Sequence, residues 1–117
     1  MNEPSELQVP VGADGHTTAL VYAADEPRAG VALILGHGAG AGQHSPFMTA
    51  FAHALAARGA DVITFNFLYT ERKRKLPDRA PVLERCYRAV IDAVRERVDS
   101  ARRALSTRSR TASMRAR

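Results

Sequence analysis

Residues 31–48 read V-A-L-I-L-G-H-G-A-G-A-G-Q-H-S-P-F-M: an apolar run, a glycine-rich turn and the start of a helix. Val31 to Leu35 is apolar throughout, without alternation, which predicts a strand covered on both faces. Gly36, Gly38, Gly40 and Gly42 then alternate through the turn, baring backbone N–H groups at the carboxyl end of that strand. Parallel sheets bind their ligands at this end. Ser45 is a natural N-cap, Pro46 suits the first helical position and Gly59 suits the stop. Phe47, Phe51 and Leu55 recur every four residues with Met48 and Ala52 beside them, so this stripe is expected to pack inward.

Outward from this stretch the chain keeps alternating strands and helices. Glu6 to Val11 and Thr17 to Tyr22 are strand-like runs around Gly12-Ala13-Asp14-Gly15, where an Asp-Gly pair predicts a hairpin turn. Asp61 to Phe67 (D-V-I-T-F-N-F) is another strand, and strand, helix and strand with short links make a right-handed parallel βαβ unit. Leu68 to Ala80 reads as a polar loop. Pro81 opens a second helix whose apolar stripe is Leu83, Cys86, Tyr87, Val90, Ile91, Val94 and Val98. The fold class is therefore α/β, a hairpin followed by parallel β-α-β-α. Residues 1–99 form the domain, and the Arg/Ser-rich residues 100–117 are expected to be a disordered basic tail.

Charge and cysteine content narrow the function classes. The net charge of +5 resides in the tail: residues 101–117 hold six arginines and no acid, leaving eleven basic against twelve acidic residues in the body. A neutral body offers no basic face, so no specific nucleic acid is expected as a partner; the tail would bind polyanions weakly and salt-dependently. Arg72-Lys73-Arg74-Lys75 reads as a solvated loop balanced by Glu71, Asp78 and Glu84. No apolar run is long enough to span a bilayer, and the single cysteine excludes an internal disulfide framework, so the expectation is a cytoplasmic chain without a membrane role. His16, His44, His53 and Cys86 share no ligand spacing, so neither a metal nor another cofactor is expected. Cys86, on the apolar stripe, reads as a buried core thiol.

The turn admits several chemistries. As a dinucleotide fingerprint it matches only the loosest Gly-x-Gly-x-x-Ala form, and Asp61 begins the next strand where an acid should end it. A Walker-type loop would need a closing Gly-Lys-Ser/Thr. A strand-to-helix turn without a ligand and an oxyanion loop of the His-Gly-x-Gly kind remain. In the latter, glycines keep Cβ atoms away from a substrate carbonyl. His37 is expected to organise the loop by hydrogen bonding, since a general base needs a nucleophile within ~3 Å.

At this point a resemblance becomes specific. L-I-L-G-H-G-A-G-A-G-x-x-S-P-F-M followed by A-A-R-G-x-D-V-I-T-F-N-F-x-Y-T-E-R-x-R-K-L-P-D-R-A-P-V-L-E resembles the N-terminal half of an α/β-hydrolase. The similarity is to the dienelactone-hydrolase-like branch, among bacterial proteins related to the third subunit of the NSL acetyltransferase complex and to a testis-expressed protein. It covers about residues 5–98 and is dense across 31–91. The resemblance implies hydrolysis of an ester, thioester or related acyl bond of a small molecule through a serine acyl-enzyme. It implies an oxyanion donor within Gly38, Ala39 and Gly40, with Ala39 or Gly40 favoured, and a pocket rim formed after the last strand by Asn66, Tyr69, Thr70 and Glu71.

The resemblance also implies a further strand and a Gly-x-Ser-x-Gly elbow after the second helix, with acid and histidine later. Neither strand nor elbow follows: the serines at 100, 106, 109 and 113 lack flanking glycines. The expectation is thus a hydrolase sheet truncated or frameshifted near Ser100, without catalytic residues and inactive alone. The strand Val31 to Leu35 should then be an apolar sheet edge, prone to aggregation or open to a protein partner. The rival expectations are a non-catalytic pseudo-hydrolase that completes its sheet with a partner, and a nucleic-acid-associated protein acting through its tail.

Overall fold

The computed structural model describes residues 3–37, 42–74 and 76–115, with side chains to Val98. Strand β1 (Ser5–Pro10) pairs antiparallel with β2 (His16–Tyr22) in the register Leu7 to Ala19 and Val9 to Thr17. The turn between them is a single 3-10 turn, Gly12–Asp14, with Gly15 at φ 120°, so the Asp-Gly signal reports a real hairpin. Strand β3 (Val31–Gly36), helix α1 (Pro46–Ala57) and strand β4 (Ala60–Phe65) form the βαβ unit, with β3 and β4 parallel and Ile34 opposite Ile63. Strand β4 also pairs antiparallel with β2, giving the order β1-β2-β4-β3. The short helix α2 (Leu68–Glu71) lies within what reads as loop in the sequence, and α3 (Ala80–Arg115) follows.

Helix α1 begins as its residues dictate. The Ser45 hydroxyl accepts from the Met48 N–H at 3.3 Å, a cap worth ~1 kcal/mol. It ends at Gly59, whose φ of 97° suits glycine; a Cβ there would sit 2.5 Å from the Pro27 carbonyl oxygen. Its inward face departs from the sequence reading. Met48, Ala52 and Ala56 are buried against Leu20, Tyr22 and Val62, whereas Phe47 is 73% and Phe51 44% exposed. The alanine face lets the helix backbone sit close on the sheet, and the two rings stack on each other at 5.7 Å, one row over.

Burial across the sheet is uneven. Strand β4 is the central, fully covered one, with Val62, Ile63, Thr64 and Phe65 buried. On its second face α3 lays Cys86, Val90 and Val94 over Val9, Ala19, Ile63 and Phe65. Strand β3 lies at the sheet edge and none of its residues is buried, so the expectation of coverage on both faces fails. Apolarity of a strand reports what could cover it, and among the described residues Leu33, Ile34 and Leu35 are covered only in part. The edge position itself agrees with the sequence expectation.

The backbone of helix α3 is helical to Arg115. No glycine or proline interrupts residues 82–117, and alanine and arginine are strong helix formers, so nothing local stops the helix once started. No helix among the described residues is long and apolar enough to cross a membrane.

Candidate functional site

The carboxyl ends of β3 and β4 lie side by side, Gly36 opposite Phe65, and both chains turn there toward α1 and α2. His37 leaves the end of β3 and is buried, its Nε2 accepting the Phe67 N–H at 3.1 Å. Through that bond the His37 side chain holds backbone. Its ring meets Phe67 edge-on at 5.2 Å and Tyr69 at 5.8 Å.

The other end of the glycine turn is tied to the neighbouring residue of the same segment. The Gln43 N–H donates to Asn66 Oδ1 at 2.9 Å, and both residues are buried. A Cβ at Gly42 would approach that same Oδ1 at 3.3 Å, so a side chain there would crowd the bond. Two consecutive residues, Asn66 and Phe67, therefore grip the two flanks of the turn. The oxyanion candidates Gly38, Ala39 and Gly40 lie outside the described residues.

Asn66 is expected at a pocket rim; the fold buries it and engages both its side-chain polar atoms and its carbonyl. Its Nδ2 donates to Glu71 Oε2 at 3.1 Å, while Glu71 Oε1 accepts from the Thr18 hydroxyl at 2.7 Å. Its carbonyl accepts from the Thr17 hydroxyl at 2.5 Å and from the Cys86 thiol at 3.8 Å. The Thr64 hydroxyl donates to Gln43 Oε1 at 3.4 Å. No buried side-chain polar atom among the described residues lacks a partner, so this network is a closed structural knot. Tyr69 is buried as well, its N–H bound to Asp78 Oδ2 at 3.0 Å and its ring stacked with Phe67.

Candidate nucleophiles can be taken one at a time. The Ser45 hydroxyl caps α1 and the Thr17, Thr18 and Thr64 hydroxyls are engaged in the knot. Cys86 is fully buried, and burial pushes its thiol up to about 11, leaving almost no thiolate near neutrality. No Ser–His pair and no cluster suited to a metal occurs among the described residues. A depression of about 460 Å³ lies between the 3-10 turn and α3. Asp14 there is held below its usual carboxylate range by the Arg85 hydrogen bond, and the Arg72 guanidinium donates to the Asp14 carbonyl. A second, apolar depression of about 360 Å³ is lined by Phe67, Leu83, Tyr87 and Ile91, flanked by Glu84 and Arg88.

Sequence reasoning found the turn and His37 but missed the Thr17–Asn66–Gln43 knot. Its partners stand up to 49 residues apart, and only the β2–β4 pairing brings them together.

Comparison with known proteins agrees with this architecture. The sequence profile of the alpha/beta hydrolase domain matches residues 29–116. No curated protein matches the chain. A lidless α/β serine hydrolase from Xanthomonas campestris superposes with a TM-score of 0.63 at 24% identity, over 82% of this chain and 46% of that one. An alpha-beta serine hydrolase homologue from Coxiella burnetii gives 0.64 at 22% identity, over 83% and 47%. The chain thus spans less than half the length of either solved structure. A profile match over most of the chain, on a sheet of this order with a glycine turn after β3, places it: the protein belongs to the α/β-hydrolase family.

Proposed function

We propose that this chain forms the carbonyl-binding side of an acyl-hydrolase site, carries no nucleophile, and does not turn over substrate alone. The substrate class is a small-molecule ester or thioester. In this reading a backbone N–H of Ala39 or Gly40 meets the oxyanion of the tetrahedral intermediate, a donor worth ~3 kcal/mol of barrier in comparable sites. The observation that carries it is the double grip on the turn, His37 Nε2 to Phe67 N–H and Asn66 Oδ1 to Gln43 N–H. Preorganised dipoles stabilise charge because they need not reorient as it develops, and these two bonds fix the residues on either side of the turn.

The same reading assigns no catalysis to the chain as it stands. The Ser45, Thr17, Thr18 and Thr64 hydroxyls are engaged in hydrogen bonds and the Cys86 thiol is inert, and lack of a serine nucleophile costs on the order of a million-fold in turnover. Incubation with a short-chain aryl ester tests this. Release of the aryl alcohol should match buffer, and titration with butyrate, a product carboxylate, should shift the Ala39 or Gly40 amide resonances. Saturable turnover blocked by a serine-directed inhibitor would overturn the first half, and unmoved amides the second.

A further inference from the structure

We propose that Glu71 is a positioning residue of the glycine turn: its carboxylate fixes which way the Asn66 side-chain amide points, and so keeps Asn66 Oδ1 on the Gln43 N–H. What the turn binds rests on the acyl-site reading above, whereas the bonds that hold it are read in the chain by itself. A side-chain amide has a donor end and an acceptor end of nearly equal size, so its neighbours must choose between its two orientations. On one side of Asn66 stands the Gln43 N–H, which only donates, at 2.9 Å from Oδ1. On the other stands Glu71 Oε2, a carboxylate oxygen that only accepts, at 3.1 Å from Nδ2. Turned over, the amide would set donor against donor at Gln43 and oxygen against oxygen at Glu71, so a single orientation survives.

Local and distant contacts both place Glu71 for this task. The single turn of α2 closes with the Glu71 N–H on the Phe67 carbonyl at 3.1 Å, which returns the carboxylate to Asn66, five residues earlier. On the far side of the carboxylate, Oε1 accepts from the Thr18 hydroxyl of β2 at 2.7 Å. With its proton spent there, the Thr18 oxygen accepts from the exposed Gln8 amide at 3.0 Å. Every donor along this line therefore points toward Glu71, from Gln8 and Thr18 in the hairpin and from Gln43 and Asn66 at the turn. The line is directional because its one carboxylate cannot donate. A donor introduced at position 71, with no change of volume, is the change that frees the amide.

Amide hydrogen exchange of the full chain, with the through-hydrogen-bond coupling between the Gln43 nitrogen and the Asn66 side-chain carbonyl carbon, tests this without any ligand. Glu71→Gln keeps the volume and adds a donor, so the coupling should be lost and Gln43 exchange should accelerate about tenfold or more. The Phe67 N–H, held by His37 on the other flank of the turn, and the amides of β2 and β4 should keep their protection. The double variant Asn66→Asp/Glu71→Gln exchanges carboxylate and amide between the two positions. It restores every bond of the line, with a carboxylate now on the Gln43 N–H and the new amide between it and Thr18, so Gln43 exchange should return to within about threefold of the original. Unchanged Gln43 exchange in Glu71→Gln, equal acceleration at Phe67 and across β2 and β4, or a double variant as fast as the single one would each overturn the proposal. Butyrate that leaves the Ala39 and Gly40 amides unmoved in the original chain would overturn the acyl-site reading alone.

Discussion

The two edges of this sheet are built on opposite principles. Strand β1 closes one side with exposed Ser5, Glu6 and Gln8 and with Pro10, which has no N–H to offer, and the Gln8 amide is spent on Thr18 across the hairpin. Strand β3 ends the other side with five apolar residues, none of them buried. One edge carries polar groups and a proline, and the other is apolar throughout. The carboxyl end of the sheet holds the two bonds that flank the glycine turn, beside that apolar edge. The contrast teaches that one sheet can hold a fully packed central strand beside an apolar edge strand that is only partly covered.

The harshest way to break the comparison is to remove the strand that both edges depend on. Phe65 is buried at the carboxyl end of β4, in the α3-side core and in contact with the Phe67 and Tyr87 rings. Phe65→Ala should cost ~3–5 kcal/mol and erase the distinction between edges, read as loss of a cooperative urea transition.

A milder cut loosens the site and leaves the sheet intact. Asn66→Ala deletes the acceptor of the Gln43 N–H and the donor to Glu71, leaving a buried N–H unpaired, at ~1–3 kcal/mol. Exchange of the Gln43 amide should accelerate while the amides of β1 and β2 stay protected; uniform acceleration would mean that Asn66 supports the whole fold. Smaller still, Ser45→Ala should cost ~1 kcal/mol through the α1 cap and leave edge behaviour unchanged.

Alkaline pH sharpens the picture without a mutation. The Cys86 thiol is raised to about 11 in the fold against an ordinary value near 9. Its neutral form is thus favoured when folded, giving stability that is fully present below pH ~9 and lost as pH rises toward ~11. Native Cys86 should resist alkylation at pH 8 and react at once in denaturant. Equal rates in both would place the thiol at the surface.

Much of the scaffold is legible in the residues. Asp14-Gly15 marks the hairpin, and the apolar run, Ser45-Pro46 and Gly59 delimit the βαβ unit almost to the residue. The errors share a cause: periodicity reveals a face and not its neighbour. In α1 two adjacent rows are apolar, and the alanine row is buried because small side chains let backbones approach. In β3 apolarity announces coverage, but coverage belongs to another element. At the site, His37 and the glycines are local signals, whereas the knot around Asn66 depends on residues that only the folded sheet brings together.

Labelling with a fluorophosphonate, which captures any activated serine covalently, followed by intact-mass measurement tests the central claim most directly. The chain should emerge unmodified at 12.7 kDa after prolonged exposure. A single stoichiometric adduct would show that a nucleophile stands beside the turn after all, and would contradict it.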